Sequence, residues 1–300
     1  MSQSRDIRDR AASIAIEMKD FVVAMSRRCR DDRISVTAGH LTYVSLLSLV
    51  PFIMVFFTIL SAFPAFSSIR GDLESMIFSN FVPHAGGVVQ KYVAEFVGNA
   101  SQMGAISILF LVVVALLLIS NVDKTLNTIF GTPGGRRPIV TFAIYWMVLT
   151  LGPLLIGSGL AVSSYLTGLA NFAEEYTPGI TTALLKLLPF VTSIGAFFIL
   201  YMVVPNKAVR ARHALAGAFL ATCLFELSKK GFALYVSSFP SYQIIYGAMA
   251  TIPLLFVWVY LSWIVVLLGA EFTVQVEDSA AHKKSDTAAA EKQDEGGDPS

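Results

Sequence analysis

The chain has 300 residues, of which 55% are hydrophobic and only 14% are charged, with a net charge of +1. A soluble domain carries about 25% charged residues, so this composition argues against a soluble enzyme and for several membrane-spanning helices. The small net charge gives no reason to expect nucleic acid as a partner.

The first polar region, residues 1–36, predicts an amphipathic helix. Arg and Asp fill one face, and apolar side chains recur on the other at steps of three and four residues. The apolar stripe consists of Ile7, Ala11, Ile14, Met18, Phe21, Val22 and Met25. Such a helix lies either on the membrane surface or against the bundle, and the pattern leaves both open. We predict no cleaved signal peptide, because the region has no uninterrupted apolar stretch.

Six apolar segments follow, each long enough to cross a hydrocarbon core of roughly 30 Å. They predict spans near residues 40–63, 102–122, 139–165, 183–205, 214–238 and 244–271. The predicted fold is therefore all-α, with a six-helix transmembrane domain over 37–275. A polar periplasmic loop over 64–101, with a short surface helix, separates the first two spans. Residues 276–300 lack an apolar period and predict a disordered cytoplasmic tail.

Lys and Arg are unevenly distributed between the two sides of this topology. Of 22 such residues, 17 fall in the N-terminal region, the loops after the second and fourth spans, and the tail. The loops after the first, third and fifth spans hold only 2. Because short cytoplasmic loops carry the excess of positive charge, both termini are expected in the cytoplasm.

Four of the six predicted spans contain an internal proline: Pro51, Pro153, Pro189 and Pro253. Proline removes a backbone donor and kinks a helix, and a membrane protein tolerates it where neighbouring groups satisfy the freed carbonyl. Their order along the chain fits an inverted repeat of three plus three helices, although random placement produces the same pattern.

The fifth span contains three ionisable residues, Glu226, Lys229 and Lys230, in the stretch LFELSKKGFALY. Three charges at a helix centre cost up to about 8–10 kcal/mol, whereas the large apolar residues of this helix contribute only about 3–5 kcal/mol. Partners must offset the difference. Glu226 precedes the two lysines by three and four residues, so the acid shares a helix face with both.

Two interpretations of these charges stay open. In the first, they form a buried ion pair that fixes the helix to its neighbours. In the second, they line a polar cavity that meets an ion, a proton or an anionic head group, and the second lysine favours an anion. Small residues near the same face predict the close approach of another helix. They are Ala214, Ala218, Thr222, Ala233 and Ser237.

Polar residues at two other helix ends are candidates for a cytoplasmic gate. Asp123, Lys124 and Asn127 end the second span, and Glu271 ends the sixth. An ordinary solvated helix end is the simpler interpretation of each. The alternative for the first group is a contact with the basic residues Lys207, Arg210 or Arg212 of the next cytoplasmic loop.

No catalytic site, cofactor or metal is predicted. The four histidines fall in separate regions, and Cys29 and Cys223 are too few for a zinc cluster. The chain contains no nucleophile elbow, metal-ligand spacing or phosphate loop. We therefore expect no enzyme activity, and the basic residues are explained by membrane orientation rather than by nucleic acid.

Long motifs run through the predicted membrane domain: YVSLLSLVPFIMVFF, LNTIFG, FAIYWMVLTLGPLL, LFELSKKGFALY, FPSYQIIYG and IPLLFVWVYLSWIVVLLGAE. From about Thr37 to Thr273 the chain resembles the YihY branch of the YihY/BrkB family of bacterial inner-membrane proteins. The resemblance implies a six-helix protein of the inner membrane and supplies no catalytic residues. The family once bore the label ribonuclease BN, and nothing in this sequence supports that chemistry.

Other members of that family are named for virulence and serum resistance, or have been connected with export of lipopolysaccharide precursors. The resemblance therefore implies a role in envelope lipid handling. We predict an integral protein of transporter or flippase type for an anionic or lipid-linked substrate. The alternative is a structural or assembly factor that transports nothing. Membrane lipids are expected partners, and self-association into a homo-oligomer is left open.

Overall fold

A computed structural model describes residues 2–61, 105–132, 136–147, 149–150, 180–238 and 251–295. The regular structure of these residues is entirely helical, which confirms the all-α prediction for this part of the chain. The helices are α1 (Ser2–Asp31), α2 (Ile34–Ser61), α3 (Ala105–Ile129), α4 (Pro138–Met147), α5 (Ile180–Val203), α6 (Ala211–Ser238) and α7 (Thr251–Glu295). The predicted loop over 64–101 and Pro153 lie outside the described residues.

Each predicted span overlaps one of the helices α2 to α7, but not all six pass a test of length and apolarity. Two described segments are long and apolar enough to cross a membrane: Leu109–Ile129 and Ile252–Ala281. Shorter apolar helices cover Ile34–Leu49, Pro138–Met147 and Pro189–Val203. α6 belongs to neither group, because Glu226, Lys229 and Lys230 interrupt its apolar run. The count of six spans therefore stays a prediction.

α7 is the central helix of the described bundle and contacts α1, α2, α3, α5 and α6. α6 also packs on α5, and α2 on α3. Tyr201 of α5 is fully buried, and its hydroxyl donates to the carbonyl oxygen of Val266 in α7 at 2.8 Å. An unpaired hydroxyl in a core costs about 1–3 kcal/mol, so this bond fixes α5 against α7.

Small residues bring α6 and α7 close together. The buried face of α6 includes Ala214, Gly217, Ala218, Ala221 and Thr222. A Cβ atom on Gly217 would overlap the hydroxyl of Thr273 and lie 2.7 Å from the carbonyl oxygen of Gly269. A Cβ atom on Gly269 would in turn overlap the Tyr201 hydroxyl. Only glycine fits at these two positions. The close contact predicted for Ala214, Ala218 and Thr222 is confirmed, whereas Ser237 of the same predicted set is exposed.

Large apolar side chains cover the outside of the bundle. Exposed examples occur on α3, α4, α5, α6 and α7: Leu109, Phe110, Leu117, Ile139, Phe142, Trp146, Ile199, Phe219, Leu227, Leu234 and Phe256. So much exposed apolar area is typical of a protein whose surroundings are hydrocarbon rather than water.

One local prediction differs from the structure. α7 continues as a helix to Glu295, where the sequence predicts disorder over 276–300. The segment after Ser279 is rich in Ala, Glu, Lys and Gln, which are strong helix formers, so the helix extends without an apolar period.

Pro51 and Pro189 lie inside α2 and α5 as predicted. The described part of α7 begins at Thr251, two residues before Pro253, so the kink at Pro253 stays a prediction.

The close α6–α7 contact predicts that Gly217→Ala destabilises the protein. The added methyl group meets a backbone carbonyl that cannot rotate away, and overpacking of this kind costs about 1–3 kcal/mol. Thermal unfolding in detergent measures the effect. Gly231→Ala on the same helix is the matched control, since nothing lies within 4 Å of its added Cβ atom. Equal unfolding midpoints for the two variants would contradict the close packing.

Candidate functional site

Many charged residues of the described chain lie at one end of the bundle. Lys207, in the loop between α5 and α6, pairs with Glu277 of α7 at 2.8 Å. The Lys207 ammonium also lies 5.7 Å from the ring centre of Phe130, just after α3. We call this region the charged end; it comprises residues 28–33, 123–132, 136–137, 204–213 and 271–278. It contains the described ends of six helices and most of the ion pairs.

A cleft of about 580 Å³ opens at the charged end between α3, α4 and the loop after α5. We call it the polar cleft. Most of its lining residues are of polar type, and α4 supplies an apolar wall. The lining residues are Asp123, Lys124, Asn127, Thr128, Thr132, Arg136, Pro138, Thr141, Phe142, Tyr145 and Asn206. The cleft therefore brings together three of the four predicted gate residues.

Asn127 connects α3 to the loop after α5. Its buried side-chain amide nitrogen donates to the Asp123 carboxylate at 3.0 Å. Its side-chain oxygen accepts hydrogen bonds from the backbone N–H of Asn206 at 2.6 Å and from the Thr132 hydroxyl at 3.0 Å. The loop is thus held by Asn127 through Asn206, and not through the basic side chains that the sequence suggested.

Arg136 forms the opposite wall of the polar cleft. Its guanidinium donates to the Asn206 side-chain oxygen at 3.1 Å and to the Pro205 carbonyl at 3.2 Å. Its distance to the Asp123 carboxylate is 3.8 Å, a long ion pair, while the Tyr145 hydroxyl donates to the same carboxylate at 2.8 Å. Hydrogen bonds with uncharged groups therefore orient the side chains of both Asp123 and Arg136.

The charges that line the polar cleft do not cancel. Asp123 is negative, whereas Lys124 and Arg136 are positive, which leaves one excess positive charge. Lys124 is exposed, and no carboxylate pairs with it among the described residues. A free ammonium beside hydroxyl and amide donors can hold an anionic group, and the adjacent Phe142 can contact an apolar one.

The three charges of α6 lie outside the polar cleft. Glu226 pairs with Lys229 in its own helix at 2.5 Å, and Lys229 also lies 5.4 Å from the ring centre of Phe225. Both paired side chains are partly exposed, at 31% and 26%. Lys230 is exposed. Of the two predicted partners, Glu226 therefore pairs with Lys229, three residues away in the sequence, and not with Lys230.

Glu271 does not end in solvent, so the interpretation as a solvated helix end is wrong for this residue. Its side chain is fully buried, with Arg28 Nε of α1 at 2.9 Å from a carboxylate oxygen. Arg28 also donates to Asp278 at 2.6 Å. Phe21 of α1 packs edge-on against Phe272, with 5.5 Å between ring centres. α1 therefore packs against the bundle at α7.

The contact between α1 and α7 has a weak signal in the sequence. Phe21, Met25 and Arg28 follow each other at steps of four and three, so the arginine continues the apolar stripe of α1. A basic residue on an apolar face indicates a buried acid opposite it. The sequence does not say which acid, because the partner lies more than two hundred residues away along the chain.

Two further titratable groups near the charged end are held in their neutral forms. Burial lowers the pKa of His213, and the neighbouring Arg212 lowers it further. Burial raises the pKa of the Cys29 thiol, with added effects from Glu271 and Asp32. No group of three His, Cys, Asp or Glu side chains with the geometry of a metal site occurs in the described part of the chain.

Asn127→Ala is expected to destabilise the protein by about 0.5–1.5 kcal/mol, because the part-buried hydrogen bond from the N–H of Asn206 loses its acceptor. Denaturant unfolding of purified protein measures this change. Asn121→Ala is the matched control, since its side chain donates within its own helix, to the Leu117 carbonyl. If both variants lose the same stability, Asn127 does not hold the loop.

Glu226→Leu is expected to lower the yield of folded protein in the membrane, because Lys229 is left without its partner. The free energy of folding that is lost should be smaller than the cost of breaking a fully buried pair, about 3–5 kcal/mol, since both side chains are partly exposed. The variant that also carries Lys229→Leu and Lys230→Leu should recover yield. If the yield of folded Glu226→Leu protein equals or exceeds that of the triple variant, the ion pair does not stabilise the protein.

Comparison with known proteins gives one consistent family. The family model described as Virulence factor BrkB matches residues 25–294. A UPF0761 membrane protein of Pseudoalteromonas atlantica is 68% identical over 257 residues, which is 86% of each chain. One from Alteromonas mediterranea is 62% identical over 276 residues, covering 92% of this chain and 94% of the relative. No solved structure matches the chain.

Proposed function

Because the chain belongs to the BrkB family and is a membrane protein like its relatives, we propose that it is a transporter of flippase type rather than an enzyme. In this proposal it spans the bacterial inner membrane six times and has both termini in the cytoplasm. Its substrate is an anionic or lipid-linked molecule of the cell envelope, which enters through the polar cleft.

The observation that supports this function most is the excess positive charge of the polar cleft. Lys124 is the cation that a substrate can reach, since Arg136 already donates to the loop after α5. The cleft lies at one end of the apolar segment Leu109–Ile129. An amphipathic anion could therefore place its charge beside Lys124 while its apolar part contacts Phe142, which is itself exposed.

The placement of charge supports the proposed topology. The described ends of α1, α3 and α5 and the starts of α2, α4 and α6 share the charged end with residues 271–278 of α7. An even number of crossings is needed to return the chain to that end. The excess of Lys and Arg in these connections favours the cytoplasm as the compartment that they face.

A lipid transfer assay tests the proposed function. Vesicles that contain the protein and phosphatidylglycerol with a fluorescent acyl chain should show faster transfer between leaflets than vesicles without protein. Lys124→Ala should slow this transfer several-fold, because the free cation of the cleft is lost. Lys19→Ala, at an exposed position of α1, is the matched control and should transfer normally. Transfer equal to that of empty vesicles would contradict the proposal.

A structural or assembly role is the competing function, and the internal Glu226–Lys229 pair favours it. Water access to this pair separates the two. A cysteine at position 226 should react with a membrane-impermeant thiol reagent if α6 borders a substrate path. A cysteine at Ala221, which is buried against α7, is the protected control. Protection of both positions in folded protein would favour the assembly role.

A further inference from the structure

The polar cleft contains a carboxylate next to its free cation. Asp123 directly precedes Lys124 on α3, and both residues line the cleft. The Asp123 side chain keeps 18% of its surface exposed. An acid at this place repels the anions that Lys124 attracts, so it influences which anions the cleft accepts.

Hydrogen bonds hold the Asp123 side chain in the wall of the polar cleft. The side-chain amide nitrogen of Asn127 donates to one carboxylate oxygen at 3.0 Å, and the Tyr145 hydroxyl donates to the other at 2.8 Å. Both oxygens accept, as those of an ionised carboxylate do. Because the two donors come from different helices, α3 and α4, the negative charge has a fixed position in the cleft.

The positive charge of Arg136 is already directed to this acid and to the loop after α5. A guanidinium nitrogen lies 3.8 Å from the Asp123 carboxylate. Other guanidinium N–H groups donate to the Asn206 side chain and to the Pro205 carbonyl. Asp123 therefore balances the charge of Arg136, and Lys124 supplies the positive charge that remains for a ligand.

Hydroxyl groups of the lining are also used within the chain. The Thr128 hydroxyl donates to the Lys124 carbonyl at 2.9 Å. The Thr132 hydroxyl donates to the side-chain oxygen of Asn127 at 3.0 Å. These donors are therefore not free to compensate a second charge on a ligand. The cleft matches one negative charge through Lys124 and opposes a further one through Asp123.

We propose that Asp123 makes the polar cleft selective for a phosphodiester head group over a phosphomonoester. A phosphodiester carries one negative charge, whereas a phosphomonoester carries between about 1.5 and 2 at neutral pH. The second charge of the monoester meets the Asp123 carboxylate without a further cation to offset it. This inference rests on the proposed function, since it names the class of substrate that the same cleft accepts.

Lipid binding to the purified full-length chain in nonionic detergent tests the selectivity. The probes are short-chain phosphatidylglycerol and short-chain phosphatidic acid with identical acyl chains, and calorimetry gives the affinity for each. The wild type should bind phosphatidylglycerol about tenfold more tightly. Asp123→Asn, whose amide oxygen still accepts from Tyr145, should bind phosphatidic acid about tenfold more tightly than the wild type does. Equal affinities in the wild type, or an unchanged preference in Asp123→Asn, would overturn the proposal.

Three further variants show that charge at position 123 sets the preference. Asp123→Glu keeps the negative charge and should keep the preference for phosphatidylglycerol. Asp20→Asn removes the same charge at an exposed position of α1 and should also keep it. Lys124→Ala should weaken the binding of both lipids, because both head groups use this cation. Binding that is unchanged in Lys124→Ala would place the head group outside the cleft and contradict the inference.

The binding assay distinguishes failure of this inference from failure of the proposed function. Binding of both lipids without preference would refute the role of Asp123 and leave the transport function standing. A preference in binding without transfer between leaflets would refute transport and retain the selectivity of the cleft. Binding of neither lipid to folded wild-type protein would refute both.

Discussion

The fold depends on the close approach of α6 to α7, which Gly217 and Gly269 allow. Hydrocarbon does not drive helices together as water does, so contact area must come from backbones that nearly touch. This contact places Tyr201 against the Val266 carbonyl and brings α5 to the same centre. Because α7 contacts five other helices, its position sets where the described helix ends meet. The charged end is built on that arrangement.

Two polar sites share the charged end, and a short run of contacts joins them. Asn206 lines the polar cleft, and the next residue, Lys207, pairs with Glu277 of α7. Asp278 follows directly and receives the hydrogen bond of Arg28. The cleft and the contacts of Arg28 with Glu271 and Asp278 are thus parts of one network of charged and amide groups. A membrane protein can keep such groups only where water or mutual pairing compensates for their burial.

The sequence predicts where the helices lie, but it does not predict which residues of different helices contact each other. Apolar runs predict the helices α2 to α7, apart from the C-terminal extension of α7, and small residues on α6 predict a close neighbour. A charged residue at the predicted end of a span is expected to be solvated. The burial of Glu271 could not be predicted, because it depends on the contact with Arg28 of α1. A lone glycine carries no sign of its partner, so Gly217 and Gly269 gave no signal. The spacing of Glu226 allowed two lysine partners, and the structure pairs it with Lys229.

The central claim is that the charged end faces a single aqueous compartment. Its most direct test is the sidedness of thiol labelling in sealed membrane vesicles, on a background without native cysteines. Single cysteines at Lys124, Lys207 and Asp278 should all react from one side only, and a cysteine at Ser238, the last residue of α6, from the opposite side or not at all. Labelling of the first three positions from different sides would contradict the account.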